Sequence, residues 1–200
     1  MSEARERDSD IDLTEGLDAD PALAAAVLEI EAHYSAGGWD QPARMYALVD
    51  TAQLVRREPA LAAAMGLDAA SEHGSLTPVE QDPLLADQPI ERALEIVAWP
   101  PDVAGCAVVV ERLVLPPEAD GELPEDPEGA ERFAQQHPAR QEVRIVAGAT
   151  RTGSTYCAMR LRAHDDDLSV VGGKDLVPGL LALLGATLTD DGDNNTEEHT

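Results

Sequence analysis

Six arginines are the side chains of this sequence whose types and spacing suggest chemistry. They lie on or beside three predicted β-strands: Arg112, Arg140, Arg144, Arg151, Arg160 and Arg162. A guanidinium group binds carboxylates and phosphates through paired, charge-assisted hydrogen bonds. In a chain with a formal net charge of -25, this concentration predicts a sheet face that binds an acidic group. The competing interpretation is internal pairing with Glu111, Glu142 and nearby acids, which would make a solvated face of weak ion pairs.

The segment Trp39-Asp40-Gln41-Pro42 is the second candidate for binding, because it places one of only two tryptophans in a glycine-led loop. A loop tryptophan can anchor a partner protein. It can equally fill the gap between the first helix and the first strand. The predicted binding residues are therefore Arg144, Arg160, Arg162, Arg112, Trp39 and Asp40.

His164 and the three aspartates that follow it are the best candidates for metal ligands. Oxygen-rich clusters suit Mg²⁺ or Ca²⁺, but calcium loops alternate their ligands around a glycine, and this run does not. An acidic turn is the preferred interpretation, and a metal site of His164, Asp165 and Asp167 is the weaker alternative. The chain has no P-loop, HExxH, GxSxG or CxxC pattern, so we predict no catalytic residue and no cofactor.

Residues 141–164 must position most of these arginines, and their alternation of apolar and polar residues predicts a β-hairpin. Both apolar sets share one face only if odd-numbered residues pair with odd-numbered ones, as in Val143 opposite Leu161. A three-residue loop that ends at Gly153, in the left-handed conformation, gives this register.

The same register places Arg144 beside Arg160 on the opposite face, which we expect to point outward. Like charges at directly opposed positions destabilise a sheet. A third group, either an acid or a bound anion, is therefore expected near this pair.

The remaining pattern predicts the order α-β-α-α-β-(α)-β-β-α. Asp20 and Asp175 are predicted to cap the first and last helices, and residues 77–80 match a capping box that predicts a brief helical turn. Residues 105–115 are apolar on both faces and should form a central strand. The fold class is α+β, a mixed and mostly antiparallel sheet of about four strands with helices packed on one side.

Much of the negative charge lies in segments too polar to form a core. We predict disordered acidic tails at 1–17 and 189–200 and a single α+β domain at 18–188, which includes a flexible acidic loop at 117–128. An acidic surface repels nucleic acid and anionic membranes. Without a signal peptide or a long apolar run, and with two cysteines in strand positions, the chain is expected to be cytoplasmic, as a monomer or homodimer.

The segments GWDQPARMYALVDTAQLVRREPALA, IVAWPPDVAGCAVVVERLVLPP, HPARQEVRIVAG and YCAMRLRAHDDD resemble an uncharacterised family of actinobacterial cytoplasmic proteins. The family has no assigned activity, so the resemblance implies no catalytic residues. More loosely, the arrangement is similar to secretion-chaperone-like folds.

Together these features predict a non-enzymatic protein-binding or chaperone-like adaptor. It would engage another protein or an acidic peptide through the arginine-bearing face. The alternative is a small-molecule or metal-dependent enzyme that uses His164 and the adjacent aspartates.

Overall fold

A computed structural model describes residues 19–67, 74–83, 88–124 and 126–189. The tail predicted at 1–17, and the tail predicted at 189–200 apart from its first residue, lie outside this part of the chain. Within the predicted loop at 117–128, the described residues form a 3₁₀ helix, Pro117–Glu122, and the beginning of a later helix.

The sheet has six strands in the described part of the chain: β1 (Arg44–Asp50), β2 (Leu76–Glu80), β3 (Gly105–Val114), β4 (Gln141–Thr150), β5 (Thr155–Leu161) and β6 (Val171–Gly173). Their spatial order is β2-β1-β3-β4-β5-β6. Every pairing is antiparallel. The α+β class is confirmed, whereas the expected number of strands was too small.

Two of the six strands escaped the sequence prediction for local reasons. In β2, the predicted helical turn at 77–80 is wrong, because these residues pair with β1 and the Thr77 hydroxyl lies 2.8 Å from that of Thr51. Pro78 is tolerated because β2 is an edge strand. The strand β6 has only three residues, two of them glycines, which is too short for a periodicity.

Six α-helices accompany the sheet among the described residues: α1 (Pro21–Ser35), α2 (Thr51–Arg57), α3 (Pro59–Ala64), α4 (Ile90–Leu94), α5 (Pro127–Gln136) and α6 (Pro178–Thr187). Asp20 caps α1 as predicted, since its carboxylate accepts hydrogen bonds from the N–H groups of Ala22 and Leu23. The cap predicted at Asp175 is wrong, because α6 begins after Val177. None of the described helices has both the length and the apolar composition needed to cross a bilayer.

Helices cover both faces of the sheet, and the prediction of helices on one side is therefore wrong. One core contains residues of α4 and α6 with Cys106, Val108 and Val110 of β3. The other contains residues of α1 with Ala107 and Val109 of the same strand. Because β3 is apolar at both odd and even positions, both of its faces must be covered, as its sequence indicates.

The central hairpin has the predicted register. Val143 pairs with Leu161, and Arg144 pairs with Arg160. The loop between the strands contains Gly153 at a φ of +88°, a conformation that glycine adopts without steric strain. The odd-numbered residues of β4 and β5 therefore share the face that packs against α6.

Candidate functional site

The two central arginines of the hairpin lie beneath α1, and the expectation that they point outward is wrong. Arg144 is 0% exposed and Arg160 is 2% exposed. The apolar stripe of α1, which includes Val27 and Ile30, packs on even-numbered residues of β4 and β5. The face that was predicted to bind a partner is therefore largely the floor of a second core.

Arg160 is held mainly by a carboxylate from α1. Its Nε and Nη2 donate to Glu31 Oε1 and Oε2 at 2.6 and 2.9 Å, and both side chains are 3% exposed. Asp167 accepts a further bond at 2.9 Å and Asp165 one at 3.4 Å. The bonds to Glu31 and, after it, to Asp167 raise the pKa of Arg160 above its ordinary value, so this arginine stays charged inside the fold.

Arg144 is held by a carboxylate from β3 and by two aromatic rings. Its Nε and Nη2 donate to Glu111 Oε1 at 3.2 and 2.8 Å, and Nη2 also donates to the carbonyl of Gly38. The guanidinium carbon lies 4.4 Å from the centroid of the Trp39 ring and 5.0 Å from that of Tyr34. Nη1 is buried without a hydrogen-bond partner among the described residues, and the cation–π contacts offset part of its lost hydration.

The predicted third group beside the arginine pair is thus confirmed as an acid. Glu111 of β3 lies directly opposite Arg144 of β4, and Glu31 of α1 forms an ion pair with Arg160. The two like charges of the sheet face each receive an opposite charge, which removes the cost of their proximity.

The loop that carries Trp39 is fastened to this buried network. Asp40 has a φ of 65°, its N–H donates to Glu111 Oε2 at 2.7 Å, and its carboxylate accepts two bonds of 2.9 Å from Arg162. The Nε1–H of Trp39 donates to Asp165 at 2.9 Å. A non-glycine residue in the left-handed region is uncommon, and these bonds hold it there.

Arg162 joins the loop to the end of the hairpin. It bonds to Asp40 and to Glu142, and these bonds, those to Asp40 first, raise its pKa above the ordinary value. The same pairing lowers the pKa of the Asp40 carboxyl. Glu142 and Arg162 follow the Val143–Leu161 pair in the hairpin register, which brings their side chains together.

Four of the solvent-exposed residues of this network lie in the Trp39 loop or are joined to it through Arg162, and we call them the sheet-end surface: Trp39, Asp40, Glu142 and Arg162. Trp39 is half-buried, and the Asp40 side chain is 75% exposed. A groove of about 390 Å³ is lined by Arg140, Glu142 and Arg162 among others. A smaller groove of about 200 Å³ is lined by residues that include Gln41, Glu111 and Arg112.

The remaining predicted arginines do not join this cluster. Arg112 lies opposite Val143, facing the other side of the sheet from Glu111, and pairs with Glu91 of α4. Arg151 lies at the opposite end of β4 and donates to the carbonyl groups of Val103 and Trp99. The six arginines therefore divide among both faces and both ends of the sheet.

The aspartates of the alternative metal site are used elsewhere. Asp165 and Asp167 both contact Arg160, and His164 is exposed. In the part of the chain that the structure describes, no group of three or more histidine, cysteine or acidic side chains could hold a metal ion. The geometry gives the enzyme alternative no specific support.

Sequence reasoning missed Glu31 and Tyr34, which complete the network from α1. A signal for Glu31 existed. It stands four residues after Val27 and three before Tyr34, on the stripe of α1 that is otherwise apolar. A carboxylate on the buried stripe of a helix requires a buried partner, and Arg160 is that partner.

Comparison with known proteins places the chain in a family. No curated protein and no solved structure has significant similarity to it. Residues 23–189 match the family model described as PPA1309-like protein. Because this range includes most of the chain, from the first turn of α1 to the end of α6, the protein belongs to the PPA1309-like family.

Proposed function

We propose that this protein is a non-enzymatic adaptor that binds another protein through the sheet-end surface. The observation that carries the proposal is the fixed, half-exposed Trp39. Its ring lies over Arg144, its Nε1–H is bonded to Asp165, and Arg162 lies 5.6 Å from its centroid. A tryptophan that is already ordered loses little entropy on binding, and such residues are enriched among those that dominate interface energies.

The internal ion pairs change the expected chemistry of the partner. Arg112, Arg144, Arg160 and Arg162 already bond to carboxylates. An acidic peptide would therefore have to displace an intramolecular partner from each of them. We propose instead that the partner packs an apolar or aromatic side chain against Trp39 and donates hydrogen bonds to the exposed carboxylate of Asp40.

The proposal places the adaptor in the cytoplasm of an actinobacterium, as the family resemblance suggested. Cys106 and Cys157 are buried free thiols, which suits a reducing compartment. Burial raises the pKa of each to about 11, so neither thiol is activated for chemistry. The sheet-end surface is largely polar, which favours a specific adaptor over a chaperone for unfolded chains.

Co-purification from an actinobacterial host tests the proposal. The tagged protein should retain a defined partner at a fixed stoichiometry, and the complex should form again from purified components. Trp39→Ala should remove the partner, whereas Arg56→Gln, at an exposed arginine of α2, should not. Equal recovery with both variants would refute the assignment of the surface.

A further inference from the structure

We propose that the open edge of the sheet at β6 receives an extended, basic segment of a partner protein as a seventh strand. The inference rests on the proposed protein-binding function and adds to it a second contact surface with a stated partner chemistry. Its residues are those of the strand, of the turn before it and Leu176 after it, and none of them belongs to the sheet-end surface.

The backbone of β6 is available on one side. It pairs with β5 through three residues, and no described strand lies beyond it. Natural edge strands are usually blunted by short length, proline, charge or a covering element, and β6 is short, with three residues. The other edge, β2, contains Pro78 and pairs its Glu80 with Arg44, whereas the sequence of β6, Val-Gly-Gly, contains neither safeguard.

Exposed apolar side chains surround this edge. Leu168 is 99% exposed, Val171 is 59% exposed and Leu176 is 39% exposed. Val171 pairs with Met159, whose side chain packs against the α6 core. Val171 therefore lies on the sheet face that α6 covers, but its own side chain remains exposed. Burying these side chains against the alternate residues of an added strand would remove apolar surface from water.

The two glycines keep the edge flat. A Cβ atom at Gly172 would collide with the hydroxyl group of Tyr156, and one at Gly173 would lie 3.2 Å from the side chain of Leu176. Neighbouring side chains therefore occupy the space where side chains of β6 would stand. Glycine in a strand is also found where another backbone approaches closely.

The negative charge near β6 determines which kind of segment can bind at this edge. Glu31, Asp165 and Asp167 share the single guanidinium of Arg160. Asp166 is exposed, and its bonds to Ser169 and Leu168 lower its pKa. With Asp175 and Lys174, which follow β6 in the chain, five carboxylates are set against two cationic side chains, which leaves about three negative charges near β6.

A second copy of this chain, paired edge to edge, would bring two such clusters together and be repelled. A segment with lysine or arginine between apolar residues would instead be attracted. This difference identifies a basic partner strand, and not self-association, as the occupant of the edge.

Fluorescence anisotropy with a labelled peptide in which valine and lysine alternate tests the inference on the full chain. The peptide should bind, and the same peptide with glutamate in place of lysine should not. A version with N-methylated backbone amides should also fail, because strand addition depends on main-chain hydrogen bonds. Absence of binding by the lysine peptide, or binding of either other peptide as strong as that of the lysine peptide, would overturn the inference.

Val171→Lys should weaken peptide binding by about tenfold or more, because it removes an apolar contact and blunts the edge. Ile96→Lys makes the same change at a side chain that is 80% exposed just after α4, and it should leave binding unchanged. Equal losses in the two variants would count against the site. If sedimentation shows a dimer that Val171→Lys dissociates, the edge belongs to a second copy and the basic-partner assignment is wrong.

Trp39→Ala separates the two proposals. It should leave binding of the peptide intact while it abolishes capture of the partner through the sheet-end surface. Loss of peptide binding in this variant would show that the peptide occupies the Trp39 surface and would overturn the β6 assignment.

Discussion

Replacing Glu31 by leucine should lower the free energy of unfolding by about 3–5 kcal/mol, because it leaves a buried guanidinium without its main partner. Two hydrogen bonds of 2.6 and 2.9 Å join Glu31 to Arg160, and water reaches only 3% of either side chain. Asp165 and Asp167 also contact Arg160, but they are 47% and 92% exposed. Solvent screens these two contacts, so they compensate only in part.

The reverse change, Arg160→Met, should cause a similar loss because it leaves the carboxylate of Glu31 buried. The double variant Glu31→Leu/Arg160→Met should be more stable than either single variant, since apolar residues of similar volume often replace a buried ion pair without loss. Urea unfolding followed by circular dichroism gives the four free energies of this cycle. Single losses below about 1 kcal/mol, the range of exposed ion pairs, that add in the double variant would refute the buried network.

Three further predictions concern packing and ionisation. Gly148→Ala should destabilise the protein by about 1–3 kcal/mol, because the new Cβ would lie 2.8 Å from Val27. Gly185→Ala, in open space within α6, should instead stabilise the protein by about 0.4–1 kcal/mol. Urea unfolding of both variants compares the signs of the two changes, and a Gly148→Ala variant as stable as the parent protein would contradict the close approach of α1. Burial raises the pKa of the two cysteine thiols from 9.0 to about 11, and they should resist a thiol reagent at neutral pH until urea unfolds the chain. The free energy of unfolding should fall as the pH rises from 9 to 11, because the thiols of the unfolded chain ionise first. Rapid labelling of the folded protein would contradict their burial. Trp39→Ala should reduce stability by about 1–2 kcal/mol through the lost cation–π contact with Arg144, and an unchanged thermal midpoint would argue against that contact.

The hairpin register could be predicted from the sequence because two independent signals agreed. The alternation of apolar residues required odd-numbered positions to pair, and a loop ending at Gly153 supplied the same parity. The like-charged pair of Arg144 and Arg160 then required an acid or a bound anion nearby. Both inferences depend only on the spacing of residues along the hairpin, which can be read from the sequence.

The packing of α1 on the even-numbered face of the hairpin could not be deduced from the arginines. The even-numbered face was interpreted as polar because Arg144 and Arg160 dominate it, yet its other members include Val146, Gly148 and Ala158, which form a small apolar floor. The stripe of α1 needs such a floor, but only tertiary packing decides which sheet face receives a helix. Buried pairing of the arginines is therefore a property of the whole fold.

The solvent exposure of Trp39 in the complex with the partner tests the central claim of the proposed function most directly. In a Trp99→Phe background, Trp39 is the sole tryptophan, and its fluorescence can be followed while the co-purified partner is added. We predict a shift of the emission and protection from acrylamide quenching that saturate with the complex. A complex that forms while the emission and quenching of Trp39 stay unchanged would contradict the claim that this surface binds the partner.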